Sequence, residues 1–87
     1  MKERRIKGRV IGVENTLDDI CYTLLLEGDD KGRRVLVPVP PKKYGVQALL
    51  NAAFFYGFVV SMTATYEEWL GVMLINKVKD IEVEGDQ

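Results

Sequence analysis

The sequence predicts a mainly β domain in which three strands, one helix and two further strands follow in that order. Three observations carry this. Period-two alternation of β-forming residues recurs in segments bounded by glycine, acidic or proline-rich turns. Residues 46–54 repeat apolar side chains at helical spacing. Gly57 divides the uncharged stretch YGVQALLNAAFFYGFVVSMTATY, residues 44–66, into a short helix and a strand.

The first strand is expected from about Arg4 to Val13, where Ile6, Val10, Ile11 and Val13 are β-formers with polar residues between them. Gly8 and Gly12 interrupt it, marking a bulge or sharp bend of the kind that lets one strand serve two neighbours. ENTLDD, Glu14 to Asp19, reads as a loop. A second strand, ICYTLLLE, covers Ile20 to Glu27, and GDDKG supplies a hairpin turn with glycine for positive φ. The third strand, RRVLVPV, covers Arg33 to Val39, with Pro38 marking where it frays or meets an edge. Pro40 and Pro41 end this strand system, and Val46, Leu49, Leu50, Ala53 and Phe54 define the apolar face of a helix stopping near Gly57. Beyond it Phe58, Val60, Met62 and Ala64 alternate with Val59, Ser61, Thr63 and Thr65, a strand with one buried face. A turn around Glu67 and Glu68 leads to the last strand, from about Leu70 to Val83, apolar on both faces at its start and irregular near Asn76. Residues 1–84 are expected to make one domain, with 85–87 a short disordered tail.

Length and composition agree with a single soluble domain. A chain of 87 residues buries roughly 60–65% of its unfolded surface, and 47% apolar with 29% charged residues is ordinary for a globular protein. The competing division of residues 44–66 is one membrane-spanning helix, flanked by Lys42, Lys43, Glu67 and Glu68 with Tyr44, Tyr66 and Trp69 at the ends. Gln47, Asn51, Ser61, Thr63, Thr65 and the period-two second half argue against it. Cys21 has no partner for a disulfide, and without histidine or a second cysteine it makes no zinc site, so a reducing, cytoplasmic setting is expected.

No enzymatic activity is expected. Histidine is absent, and no nucleophile motif, phosphate-binding loop or dinucleotide fingerprint occurs. No cofactor and no metal is expected either; the one acidic arrangement weighed as a cation site is Asp18 and Asp19 facing Glu67 and Glu68. The net charge of −1 is distributed in blocks: residues 2–9 are basic, 14–30 acidic, 31–43 basic and 80–86 acidic. Such blocks fold into one basic face and one acidic end, or into a solvated surface.

Across nearly its whole length the sequence resembles the OB-fold superfamily, in particular its nucleic-acid-binding, replication protein A-like type. The resemblance rests on the glycine-interrupted KGRVIGV, the hairpin TLLLEGDDKGRRVLVPV, the helix, and the hairpin GFVVSMTATYEEWLGVMLINKVKDIEV. It implies a five-stranded Greek-key barrel with its ligand, single-stranded nucleic acid or sugar, on the face of strands two and three. The loops between strands one and two and between strands four and five would flank that face. Here those walls are ENTLDD and the YEEW turn, expected near one end of the barrel, and their carboxylates repel phosphate.

Two ligand classes follow for this non-catalytic binding module, single-stranded nucleic acid as the first reading and a protein partner or homodimer as the alternative. For single-stranded DNA or RNA, Arg5, Lys7 and Arg9 on the first strand and Lys31, Arg33 and Arg34 on the second hairpin form a basic edge, with Tyr66 and Trp69 available for stacking or as a cross-strand aromatic pair. For a protein partner or a homodimer, alternation sends Leu25, Leu36, Met73 and Ile75 outward as an apolar patch.

Overall fold

A computed structural model describes residues 1–84, so the tail expected over 85–87 lies outside the described residues. The chain is mainly β, with strands β1 (Lys2–Asn15), β2 (Ile20–Leu26), β3 (Arg34–Val39), β4 (Val59–Trp69) and β5 (Val72–Val83), and helix α1 (Tyr44–Tyr56) between β3 and β4. All ladders are antiparallel, in the order β3-β2-β1-β4-β5. Alternation of direction along that order leaves β3 and β5, the two sheet edges, running in the same sense. The sheet curls until these edges approach one another as a half-barrel.

The long first strand makes the curl possible. Its first half, Lys2 to Arg9, pairs with β4, and its second half, Gly8 to Asn15, pairs with β2. Gly8 stands where the strand changes partners, and a bulge between Val10 and Gly12 adds twist. This is the bend anticipated from the two glycines.

Inward-facing alternation on every strand supplies the core, which includes Ile6, Leu24, Val37, Val60 and Met62. Helix α1 covers one end with Leu50 and Ala53 buried, whereas Phe54, expected on the same face, is exposed. Gly57 ends the helix in the left-handed region at φ 78°, its N–H donating to the Ala53 carbonyl. Tyr22 anchors the helix, its buried hydroxyl donating to Asn51 Oδ1 at 2.9 Å. At the other end Asp30 accepts from Arg4 and Arg33, while Arg33 Nη2 donates to the Gly71 carbonyl at 3.3 Å, tying the two hairpins together.

The last hairpin departs from expectation. Glu67 and Glu68 do not turn; they pair with Leu74 and Met73 inside the β4–β5 ladder, and the reversal falls at Leu70 and Gly71, with φ 52° and 79°. Two positive φ values in succession are what a tight hairpin demands. In consequence β5 starts at Val72 and is buried on one face at its start: Met73 and Ile75 point in, Val72 and Leu74 out. The irregularity near Asn76 is present, since Thr65 pairs with Lys77 and Tyr66 with Ile75. No helix among the described residues is long and apolar enough to cross a membrane.

Candidate functional site

Outward alternation on β1 does present Arg5, Lys7 and Arg9, but each is held by a carboxylate. Arg5 Nη2 lies 3.3 Å from Glu82 Oε1, Lys7 Nζ 3.7 Å from Glu84 Oε1, and Arg9 Nε 3.4 Å from Glu27 Oε2. Arg5 also donates to Ser61 Oγ, Thr63 Oγ1 and the Asp80 carbonyl. Exposed pairs of this kind contribute little stability, about 0–1 kcal/mol, yet they cancel the potential that a phosphate backbone would feel. Arg33 is likewise engaged, by Asp30 and Gly71. Of the six basic residues singled out from the sequence, Lys31 and Arg34 have no ion pair among the described residues.

The aromatic pair separates. Tyr66 is 6% exposed and packs in the core opposite Ile75, because inward alternation on β4 runs unbroken from Val60 to Tyr66; it is not a stacking platform. Trp69, opposite Val72 at the hairpin tip, is 66% exposed.

The apolar patch also changes composition. Met73 and Ile75 are 4% and 7% exposed and belong to the core, so the patch expected from Leu25, Leu36, Met73 and Ile75 keeps only its first two members on the outer face. Register against β4 turns Met73 and Ile75 inward and brings out Val72 and Leu74 instead. Leu36, Val72 and Leu74 are 57%, 53% and 45% exposed. They line an open groove of about 400 Å³ over the β3–β5 seam, together with Cys21, Arg34 and Pro38. Even-numbered residues point inward on β4, and a two-residue turn then sends odd-numbered residues inward at the start of β5; this parity is the sequence signal for Val72 and Leu74 outward.

Cross-strand register orders the rest of this face in three rows. Thr23 has Gly12 on one side and Leu36 on the other. Four residues in all separate the flanking rows along β2: Leu25 lies between Arg9 and Arg34, and Cys21 between Glu14 and Pro38. Arg34 therefore marks one end of the face, and Glu14 with the nearby Asp19 the other. Burial, and after it the carboxylates of Asp19 and Glu14, push the Cys21 thiol above its ordinary pKa. Neither carboxylate has a cation partner among the described residues.

The acidic loops do not converge. Asp18 and Asp19 follow the turn at Thr16, whose Oγ1 accepts from the Asp19 N–H at 3.0 Å, next to Ile20 and its partner Val39. Glu67 and Glu68 lie in β4 near the opposite end of β3, where Arg33 meets Gly71. Among the described residues no three metal-ligating side chains gather. A second exposed apolar group, absent from the sequence reading, sits at the end of α1, where Tyr56 stacks on Phe58 and meets the edge of Phe55. Comparison of the chain with protein-family models, curated proteins and solved structures returns no match.

Proposed function

We propose that the chain is a non-catalytic binding module that engages a protein through the outer face of β1, β2, β3 and β5. The observation that carries this is the apolar groove itself: Leu36, Val72 and Leu74 stand about half exposed around the seam between β3 and β5. Contiguous apolar surface of this kind favours a protein partner, because burying it releases water without requiring a charged ligand. The resemblance to OB domains, which carry ligands on the equivalent face, supports the location. Its free, half-buried Cys21 suits a reducing compartment such as the cytoplasm.

Leu36→Glu tests the reading, since the side chain is exposed and its loss leaves the core intact. Proteins captured by the wild-type chain are purified and titrated against both forms. The substitution is expected to weaken binding by about tenfold or more. Equal affinity for both forms in every case refutes a ligand role for this face.

Single-stranded nucleic acid is the second reading, favoured by exposed Trp69 and by Arg34 and Lys31, which have no ion pair among the described residues. Stacking on Trp69 would contribute about 1–3 kcal/mol per base, and each neutralised phosphate about 0.7 to the salt slope. Fluorescence anisotropy of a labelled oligonucleotide at low salt decides it: binding that weakens with salt and with Trp69→Ala supports this ligand, and no binding at low salt dismisses it.

A further inference from the structure

We propose that the cleft between the end of β3, the start of α1 and the second half of β5 binds a small amphiphilic anion, an acidic head group on a short apolar body. The cleft shares only Pro38 with the groove of the partner-binding face and stands independently of it. Three elements part here. Pro40 and Pro41 stop β3 after Val39, α1 starts at Tyr44, and the irregularity at Asn76 shifts the register of β5 against β4. The space between them is about 350 Å³, within the roughly 300–1,000 Å³ that small-molecule sites occupy.

Val39, Val46 and Val78 give the cleft an apolar floor: Val39 is buried, and the other two are half-buried against the core. The wall that joins β3 to α1 is fixed. Gln47 Nε2 donates to the Pro40 and Pro41 carbonyls at 2.9 and 3.0 Å, and the Lys43 N–H donates to the Pro40 carbonyl at 3.1 Å, so both acceptors of the turn are already engaged. Lys43, Lys77 and Lys79 stand around the floor, and the same three line an adjoining recess with Glu3 and Thr65. Glu3 is the one carboxylate lining either space, and it pairs with Lys79 at 3.4 Å. Lys43 and Lys77 have no ion pair among the described residues, whereas Arg5, Lys7 and Arg9 on β1 each have one. Like charges gathered in this way repel, and an anion between them turns the repulsion into attraction. A solvated lysine surface needs no apolar floor, and an apolar floor needs no lysines; together they match a ligand that carries both features. The head group meets Lys43 and Lys77, while the body lies over the valines and along the lysine stems.

Octanoate below its micelle concentration, titrated into the isotope-labelled chain and followed by amide NMR, is expected to shift Val39, Lys43, Val46 and Val78 and to saturate. Acetate and octanol carry the head or the body alone, and each is expected to bind about fivefold more weakly or worse. Octyl phosphate decides the head: tighter binding than octanoate assigns a phosphate and equal or weaker binding a carboxylate, and either supports the site. Lys43→Glu and Lys77→Glu, both at exposed positions, are each expected to raise the dissociation constant of octanoate about fivefold. Combined in one chain they are expected to reverse the preference, so that octyltrimethylammonium binds more tightly than octanoate. A gain of that kind cannot come from a misfolded chain. The proposal is overturned by the absence of saturable shifts at these residues with either anion, by acetate or octanol binding as tightly as octanoate, or by a doubly substituted chain that still prefers octanoate. Shifts centred on Leu36, Val72 and Leu74 overturn it as well, because they place the amphiphile in the other groove.

Discussion

Gly8 and Gly12 are alike in the sequence and opposite in the fold. At Gly8 a Cβ would overlap the Leu25 carbonyl oxygen and lie 2.9 Å from its carbon, backbone atoms that cannot rotate away. At Gly12 the nearest atoms are those of the Thr23 side chain, at ordinary contact distance. Gly8→Ala is therefore expected to destabilise the chain by about 1–3 kcal/mol through overpacking, and Gly12→Ala to cost much less. Urea unfolding of both variants at low concentration measures this, and equal losses would show that β1 shifts to relieve the crowding. The alternation of β1 made both glycines visible as bends. Which of them admits a side chain depends on how closely β2 approaches, a distance set by the whole sheet.

Helix α1 and the β4–β5 hairpin show two degrees of legibility. The helix runs over Tyr44–Tyr56 as its apolar spacing and Gly57 indicate, since both signals are local. Acidic residues suit turns and leucine does not, so composition points to Glu67 and Glu68 for a turn that falls at Leu70 and Gly71. Leu70 nevertheless occupies the left-handed region at φ 52° and is exposed, so the turn is held by the ladder on either side and not by its own preference. Strain at such a residue costs about 1–2 kcal/mol. Leu70→Asn, which tolerates that conformation, is expected to raise stability by about 0.5–1 kcal/mol. Thermal unfolding provides the check, and a lowered midpoint would mean that Leu70 makes a contact worth more than the relief of strain.

The half-barrel has one weak line, the seam between β3 and β5. β1 is paired on both sides, whereas β3 and β5 each carry one unpaired edge and meet through side chains such as Val35 and Met73. Backbone amides of β3 and β5 that face the seam are expected to exchange hydrogen orders of magnitude faster than those in the middle of β1. Native-state exchange followed by NMR tests this in dilute solution, and equal protection across the sheet would show that the barrel closes by hydrogen bonds. The same seam carries the apolar groove, so the least protected part of the fold and the proposed interface coincide.

Element order, the helix and its end, the bend in the first strand and the bulge at Asn76 could be read from residues near one another in the chain, because period, glycine and turn chemistry act over a few residues. Three matters were settled only when distant segments met. The outward set on β5 follows from its register against β4, which turns Met73 and Ile75 in and Val72 and Leu74 out. The basic edge loses most of its field because Arg5 and Lys7 meet Glu82 and Glu84 from the far end of the chain. Tyr66 leaves the surface because the inward alternation of β4 runs on to it, opposite Ile75. Local period specifies what each segment becomes; side-chain parity and charge pairing depend on register between segments remote in sequence, and on these the binding face depends.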